Sequence, residues 1–363
     1  MNGKMKKITW YYIDTFKEVI QIIPISNDEN ERMTFLRKSK KDKKYVVIKQ
    51  IKIIDNYNGN NNYSTILKEL YFLSTVKKNR YFVEIIDVLL SEDLEHIFLI
   101  LRDEGVDFKV HIKKKFDYNK QIPGISRRIF FQVACGLKIL HENGLCHNDI
   151  KPENIVTSPT GKAKLCDMGS VDKNEGIQNG GTKGYLSPQA LLGKPRTKED
   201  DMWSLGVVFL ELLIKKDSLF FFEDSDYREV LKKLLKKFYD LKLKVPKRND
   251  DILDDIIQYI SDNNYNSFEY ELKFDFDKYP NIEKDDKKLI RNLLEINPDK
   301  RMNAEKVLNL KMFRGIFLFE HSSFNYVNAD YDKYIKGTIP DKNTFLKYIE
   351  EIRQKFVGQE IFD

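Results

Sequence analysis

His147-Asn148-Asp149-Ile150-Lys151-Pro152-Glu153-Asn154 is the most informative stretch of this 363-residue chain. It follows an amphipathic pattern over residues 125–142 that predicts a long helix. The stretch combines a carboxylate that can accept a proton, a cation and an amide oxygen that can bind a metal ion. Because these polar residues lie close together directly after a predicted helix, they are candidates for a reactive site.

Further motifs lie on both sides of this loop. Asp167-Met168-Gly169 follows 18 residues after Asp149, directly after an apolar run that predicts a strand. Upstream, Val46-Val47-Ile48-Lys49 ends in a lysine, and Glu69 lies 20 residues later in a predicted helix over 64–76. The remaining motifs are Gly181-Thr182-Lys183-Gly184-Tyr185-Leu186-Ser187-Pro188-Gln189, Asp201-Met202-Trp203-Ser204-Leu205-Gly206 and Asn297-Pro298-Asp299-Lys300-Arg301.

In this order, the motifs resemble those of the eukaryotic protein kinase family over about residues 16–314. The resemblance implies an α+β, bilobal fold with a small β-rich N-lobe at 1–104 and a larger, mainly helical C-lobe at 105–314. We expect residues 315–363 to be a C-terminal extension. Its amphipathic pattern over 342–356 predicts a helix that packs on the C-lobe, and docking of a partner is the alternative.

The resemblance also implies roles for individual residues. Asp149 would be the catalytic base, Lys151 would neutralise the transferring phosphoryl group, and Asn154 and Asp167 would hold Mg²⁺. The other catalytic residues that it implies are Lys49, which would bind the α- and β-phosphates of ATP, its partner Glu69, and Thr182. The nucleotide-binding residues that it implies are Val47, Lys49, Leu101, Arg102, Asp103, Glu104, Val156, Cys166 and Asp167.

These roles predict an ATP- and Mg²⁺-dependent protein kinase of the serine/threonine type, as Lys151 and Thr182 suggest. A pseudokinase scaffold is the main alternative, and a small-molecule kinase is disfavoured by Thr182, Tyr185 and Asp201. The counterpart of Glu153 in the family often contacts a basic residue before the phosphoacceptor, so basic protein substrates are expected. A solvent-facing loop glutamate is the other interpretation.

Several positions depart from the family pattern. Residues 27–34, where a glycine-rich loop is expected, contain no glycine, and Arg32 is a candidate for a compensating cation. Asn148 replaces an arginine that often pairs with a phosphorylated loop, and residues 171–181 contain no hydroxyl group. We therefore predict activity that is independent of activation-loop phosphorylation. Gln189 replaces a glutamate that usually pairs with the late arginine, here Arg301, which predicts a less stable lobe.

Composition restricts the remaining possibilities. A net charge of +6 is compatible with binding a nucleotide but is too small to indicate nucleic-acid binding. The longest apolar run, around 203–214, is too short to span a bilayer, and no signal peptide is expected. The three cysteines form no CxxC pair, which favours a reducing cytoplasmic or nuclear location. We expect a monomer whose partners are ATP and a protein substrate.

Overall fold

The computed structural model describes residues 16–21, 32–39, 45–55, 61–76, 79–91, 93–109, 124–158, 160–176, 180–216, 219–220, 226–280, 282–314 and 341–357. The chain divides into two compact units. Unit 1 comprises the described residues within Met1–Glu104 and Tyr326–Asp363, and unit 2 comprises those within Gly105–Asn325.

Unit 1 contains a five-stranded antiparallel sheet with the strand order β1-β2-β3-β5-β4. The strands are β1 (Phe16–Gln21), β2 (Arg32–Ser39), β3 (Tyr45–Lys52), β4 (Ile85–Leu90) and β5 (His96–Arg102). Alternation in β3 directs Val46 and Ile48 to one face, where they form a buried cluster with Phe98 and Ile100 of β5. The small β-rich lobe that the resemblance implies is confirmed in the described residues.

Two helices complete the described part of unit 1. Helix α1 (Tyr63–Thr75) follows β3, and the C-terminal helix, called α9 below, is Lys342–Val357. Phe345 of α9 is fully buried and stacks on Tyr63 of α1, with ring centroids 4.5 Å apart. The prediction of a C-terminal helix is confirmed, but the expectation that it packs on the C-lobe is wrong for these residues. Helical periodicity reveals an apolar face and does not specify which surface covers it.

Unit 2 is mainly helical. Its helices are α2 (Ile125–Glu142), α3 (Pro188–Leu191), α4 (Lys198–Ile214), α5 (Tyr227–Phe238), α6 (Ile252–Ser261), α7 (Lys284–Leu293) and α8 (Ala304–Leu308). Helix α4 is buried on nearly all sides, as its apolar composition predicts, and it packs against α2 and α7. It begins at a capping box formed by Thr197 and Asp200.

Short strands occupy the connections in unit 2. They are β6 (Val106–Asp107), β7 (Leu145–Cys146), β8 (Ile155–Thr157), β9 (Ala163–Leu165), β10 (Asp172–Lys173), β11 (Tyr239–Leu243) and β12 (Phe268–Leu272). The catalytic loop therefore runs between β7 and β8, and Asp167 follows β9. The antiparallel β11–β12 pair was not predicted from the sequence, because β11 is short and mostly solvent-exposed.

Gln189 and Arg301 are both buried in unit 2 and remain hydrogen-bonded to each other. Arg301 Nη2 donates to Gln189 Oε1 at 3.0 Å, while Gln189 Nε2 donates to the hydroxyl of Tyr265 and the carbonyl of Ile296. Burial lowers the pKa of Arg301, with partial compensation by the charge of Asp200. The Gln189 side chain therefore still accepts a hydrogen bond from Arg301, although it carries no negative charge.

No helix within the described ranges is both long enough and apolar enough to cross a membrane.

Candidate active site

Unit 1 holds the predicted lysine–glutamate pair. Lys49 lies on the central strand β3, where neighbouring strands on both sides restrain its backbone. Its Nζ is 2.6 Å from Oε1 and 2.8 Å from Oε2 of Glu69 on α1. The two side chains are only 11% and 2% exposed, so solvent screens this ion pair weakly. The pair fixes an ammonium group in one position, as the binding of phosphate oxygens requires.

Unit 2 brings two other predicted catalytic residues, Lys151 and Thr182, next to Asp149. Lys151 Nζ lies 2.7 Å from Asp149 Oδ2, and the hydroxyl of Thr182 donates to Oδ1 at 3.0 Å. Lys151 also donates to the Thr182 hydroxyl at 2.9 Å, which closes the triangle. The Asp149 side chain keeps 12% of its surface exposed. The carboxylate is thus restrained on both oxygens while it remains reachable by a reactant.

Asn154 connects this cluster to a possible metal-binding position. Its amide nitrogen donates to the carboxylate of Asp149 at 2.9 Å and to its carbonyl at 2.8 Å. The side-chain oxygen of Asn154 is consequently the atom available for a cation, since the nitrogen is committed to Asp149. The backbone N–H of Cys166 donates to the carbonyl of Asn154, which ties the residue before Asp167 to the catalytic loop.

Asp167 has a left-handed backbone conformation, with φ of +56° and ψ of +71°. This conformation is uncommon for a residue with a side chain, so the surrounding contacts must maintain it. The following Met168 is fully buried and anchors the turn by its thioether side chain. The position after Asp167 is therefore filled by a buried apolar side chain.

Asp201, at the start of the buried helix α4, binds the backbone of the catalytic loop. Its carboxylate accepts hydrogen bonds from the backbone N–H groups of His147 and Asn148, both at 2.8 Å, and pairs with His141 Nε2 at 2.9 Å. Burial alone would raise the pKa of Asp201, but the hydrogen bond and charge of His141 and the contacts with His147 lower it overall. Asp201 is therefore an ionised anchor for the loop.

The predicted nucleotide-binding residues are divided between the units. In unit 1, Val47 on β3 is paired in register with Leu101 on β5, and the chain continues through Arg102, Asp103 and Glu104. Arg102 is engaged by Glu84, through Nε to Oε2 at 2.7 Å. In unit 2, Val156 lies on β8, and Cys166 and Asp167 follow β9. Their role in binding a nucleotide stays a prediction.

Two further predicted positions have partners within unit 2. The carboxylate of Glu153 accepts from Lys109 Nζ at 2.5 Å, so it is not an isolated loop charge. The Cys166 thiol is half-buried and lies 3.8 Å from the carbonyl of Glu153. Residues 27–31 of the glycine-free segment lie outside the described ranges, as does the side chain of Arg32.

Sequence reasoning missed two residues that support the catalytic loop. His141 reaches Asp201 from the end of α2, and Arg196 contacts the carbonyl of Asn148. His141 lies six residues before the catalytic loop, so its position in the sequence could have indicated that it is near the loop. Nothing in the sequence around Arg196 indicates its contact with Asn148, because the two residues are distant in the chain.

The architecture and this arrangement of side chains agree with the comparison to known families. Residues 33–313 match the protein kinase domain, so the chain belongs to the protein kinase family. It is 30% identical over 220 residues to an Aurora kinase of Schizosaccharomyces pombe, which covers 60% of this chain and 50% of that protein. The chain thus spans about half the length of that relative.

Two other relatives are matched over more of their length. An extracellular signal-regulated kinase 2 of Dictyostelium discoideum is 26% identical over 292 residues, covering 74% of this chain and 72% of the relative. The serine/threonine-protein kinase ppk23 of Schizosaccharomyces pombe is 27% identical over 274 residues, covering 74% of this chain and 65% of the relative. The relatives support kinase activity in general, at modest identity.

Proposed function

We propose that this protein is an ATP- and Mg²⁺-dependent protein serine/threonine kinase with Asp149 as its catalytic base. The observation that carries the proposal is the hydrogen-bonded cluster of Asp149, Lys151, Thr182 and Asn154. The Lys49–Glu69 ion pair adds independent support, because the same two residues were assigned from the sequence as the phosphate-binding pair.

The cluster accounts for the movement of a proton. A serine or threonine hydroxyl within hydrogen-bond reach of the Asp149 carboxylate would transfer its proton there as the oxygen attacks the γ-phosphorus. Thr182 donates to one carboxylate oxygen and Asn154 to the other, which fixes the direction from which the hydroxyl is accepted. Lys151 places a cation 2.7 Å from the same carboxylate, where it can also neutralise a transferring phosphoryl group.

Mg²⁺ fits the oxygen donors that unit 2 offers. Asn154 would contribute its side-chain oxygen and Asp167 its carboxylate, both hard ligands of the type that Mg²⁺ prefers. When bound, the ion would neutralise charge that develops on the β- and γ-phosphates. The hydrogen bond from Asn154 to Asp149 would couple the position of this ligand to that of the base.

Independence from activation-loop phosphorylation is part of the proposal. Residues 171–181 contain no serine, threonine or tyrosine, and the cluster around Asp149 is assembled through side chains of the chain itself. We therefore expect phosphatase-treated protein to keep its full rate. A large loss of rate that maps to this loop would contradict this part.

The expected acceptors are proteins, and basic residues near the phosphoacceptor remain part of the proposal. Because Glu153 already binds Lys109, a substrate cation would have to share or replace that contact. Glu153→Gln should raise KM for basic acceptors several-fold without a similar change for acidic ones. A monomeric protein in the cytoplasm or nucleus completes the proposal, and size-exclusion chromatography with light scattering tests the oligomeric state.

The alternative is a pseudokinase scaffold with weak or no phosphotransfer. The absence of glycine from residues 27–34, together with three acidic residues nearby, favours this alternative, because side chains and negative charge would disfavour a close approach of phosphates. Retention of Lys49, Glu69, Asp149, Asn154 and Asp167 favours the enzyme.

The deciding experiment is phosphate incorporation from γ-labelled ATP and Mg²⁺ into casein, myelin basic protein or histone. Asp149→Asn should abolish it, since the isosteric amide cannot accept the proton. Asp240→Asn is a matched control on β11, where the carboxylate is 74% exposed and pairs with Lys273. Labelling that is unaffected by Asp149→Asn would refute the catalytic role. No labelling, with no thermal shift on addition of MgATP, would favour the scaffold.

A further inference from the structure

Asn148, the residue before the catalytic base, is fixed by hydrogen bonds from its backbone N–H and its side-chain amide. The Asn148 N–H donates to Asp201, and its side-chain amide donates to the carbonyl of Ser170 at 3.0 Å and of Cys146 at 3.3 Å. Its φ of +67° is left-handed, a conformation that asparagine tolerates better than most residues. The contact with Ser170 ties the catalytic loop to the segment that follows Asp167.

The backbone carbonyl of Asn148 is bound by Arg196. Arg196 lies two residues before α4, and its side chain is 2% exposed. Its Nη2 donates to the Asn148 carbonyl at 3.1 Å, while Nη1 donates to the carbonyl of Gly180 at 3.0 Å. One guanidinium group therefore joins the catalytic loop to Gly180.

The same arginine also binds Glu175. The Arg196 carbonyl accepts a hydrogen bond from the N–H of Glu175 at 2.7 Å. Glu175 and Gly180 are thus both hydrogen-bonded to a single residue, which lies beside the capping box of α4. The buried charge is compensated by Asp200, whose Oδ2 lies 3.9 Å from Nε, an ion-pair contact without a hydrogen bond.

Gly181 shows how closely these elements approach. Its φ is +83°, and a Cβ there would lie 2.9 Å from the Asn148 carbonyl oxygen and 3.1 Å from Arg196 Nη1. Only glycine fits without displacing a backbone atom of the catalytic loop. The next residue is Thr182, which donates to Asp149. The arginine contacts therefore lie within two residues of Asp149 and Thr182 in the catalytic cluster.

We propose that Arg196 is a positioning residue that replaces activation-loop phosphorylation, by joining Glu175 and Gly180 to the catalytic loop through backbone groups. A phosphate on a loop would supply acceptor oxygens for a cation, and here the carbonyls of Gly180 and Asn148 supply them permanently. The inference rests on the proposed kinase function and gives a physical cause for its independence from phosphorylation.

Arginine is required for this role because its planar fork carries donors in two directions, whereas a lysine ammonium acts as a single point charge on a flexible stem. Arg196→Lys should keep the buried charge but lose at least one of the two carbonyl contacts. We expect kcat to fall about 10- to 100-fold, as for a small misplacement of catalytic groups. KM for ATP should change less than about twofold, because Arg196 contacts no residue assigned to the nucleotide.

Arg127→Lys is the matched control in the same unit. Arg127 donates to Asp286 and Glu283 at 2.7–3.1 Å from α2, so its replacement also removes forked hydrogen bonds. It should leave kcat unchanged. Gly181→Ala is a second variant, in which the added Cβ would push residue 181 away from the Asn148 carbonyl without altering a charge. It should lower kcat in the same way as Arg196→Lys.

Hydrogen exchange provides a readout that does not depend on activity. In the wild type, the Glu175 N–H should be protected, and in Arg196→Lys exchange over residues 172–182 should accelerate at least tenfold while α2 is unchanged. Equal exchange in the two proteins, or a kcat of Arg196→Lys within twofold of wild type, would overturn this role of Arg196. If the wild type has no activity, the kinase proposal fails, and exchange alone then decides whether Arg196 orders the loop.

Discussion

The C-terminal helix α9 should depend strongly on one aromatic side chain, Phe345, for its contact with α1 in unit 1. Phe345 is fully buried and stacks on Tyr63 of α1, with an angle of 17° between the ring planes. Replacement of a fully buried phenylalanine by alanine costs about 3–5 kcal/mol, which combines lost burial with the cavity left behind. The perturbation to test is Phe345→Ala.

The magnitude decides whether α9 stays attached. Besides Phe345, the buried contacts of α9 include Ile349 and Ile352, which are 1% and 0% exposed. Burial of each such side chain contributes about 1.5–3 kcal/mol, so a loss of 3–5 kcal/mol removes roughly half of the apolar contribution. The ion pair of Arg353 with Asp87 is about 39–40% exposed and contributes at most about 1 kcal/mol. It therefore cannot compensate.

Hydrogen exchange over residues 342–357 is the appropriate assay, because it measures local opening while the rest of the protein remains folded. A loss of 3–5 kcal/mol corresponds to exchange about 150- to 4,000-fold faster in Phe345→Ala. Lys347→Ala, on an exposed position of the same helix, is the control and should change exchange little. An acceleration below about tenfold in Phe345→Ala would show that the buried apolar face does not hold the helix.

Three further outcomes follow from contacts in the two units. Glu69→Gln should lower kcat at least about tenfold, since the buried Lys49 ammonium loses its charged partner. An unchanged kcat would show that catalysis does not need the Lys49–Glu69 ion pair. The pKa of Asp201 is lower in the folded protein than its ordinary value of 3.8, so its stabilising contribution is complete above pH 3.8 and is lost as pH falls towards the folded pKa. Urea unfolding should accordingly show a stability difference between wild type and Asp201→Asn that shrinks below pH 3.8, and a constant difference would contradict the ionised anchor. Gly206→Ala should lower the unfolding free energy by about 1–3 kcal/mol, because a Cβ there would lie 2.7 Å from Cβ of Leu293 on α7; thermal unfolding with no change would show that the helices can separate without cost.

The sequence by itself determined the family, the order of elements and the identity of the catalytic candidates. The motifs carried the resemblance to the family and to its site residues. Alternation in β3 and helical periodicity over α2 and α9 predicted those elements, because both are properties of neighbouring residues. Fixed spacing was sufficient for Asp149, Lys151 and Asn154, since they share one loop and their distances are limited by the chain itself.

Tertiary structure alone decided which distant residues support that loop and which surface covers the last helix. Arg196 reaches Asn148 across 48 positions of the chain, and Gln189 reaches Arg301 across 112. Neither contact produces a local pattern, because a hydrogen bond between remote segments leaves no periodicity in either one. The apolar face of α9 predicted burial but not its partner, since hydrophobic burial is non-directional and any complementary apolar surface satisfies it.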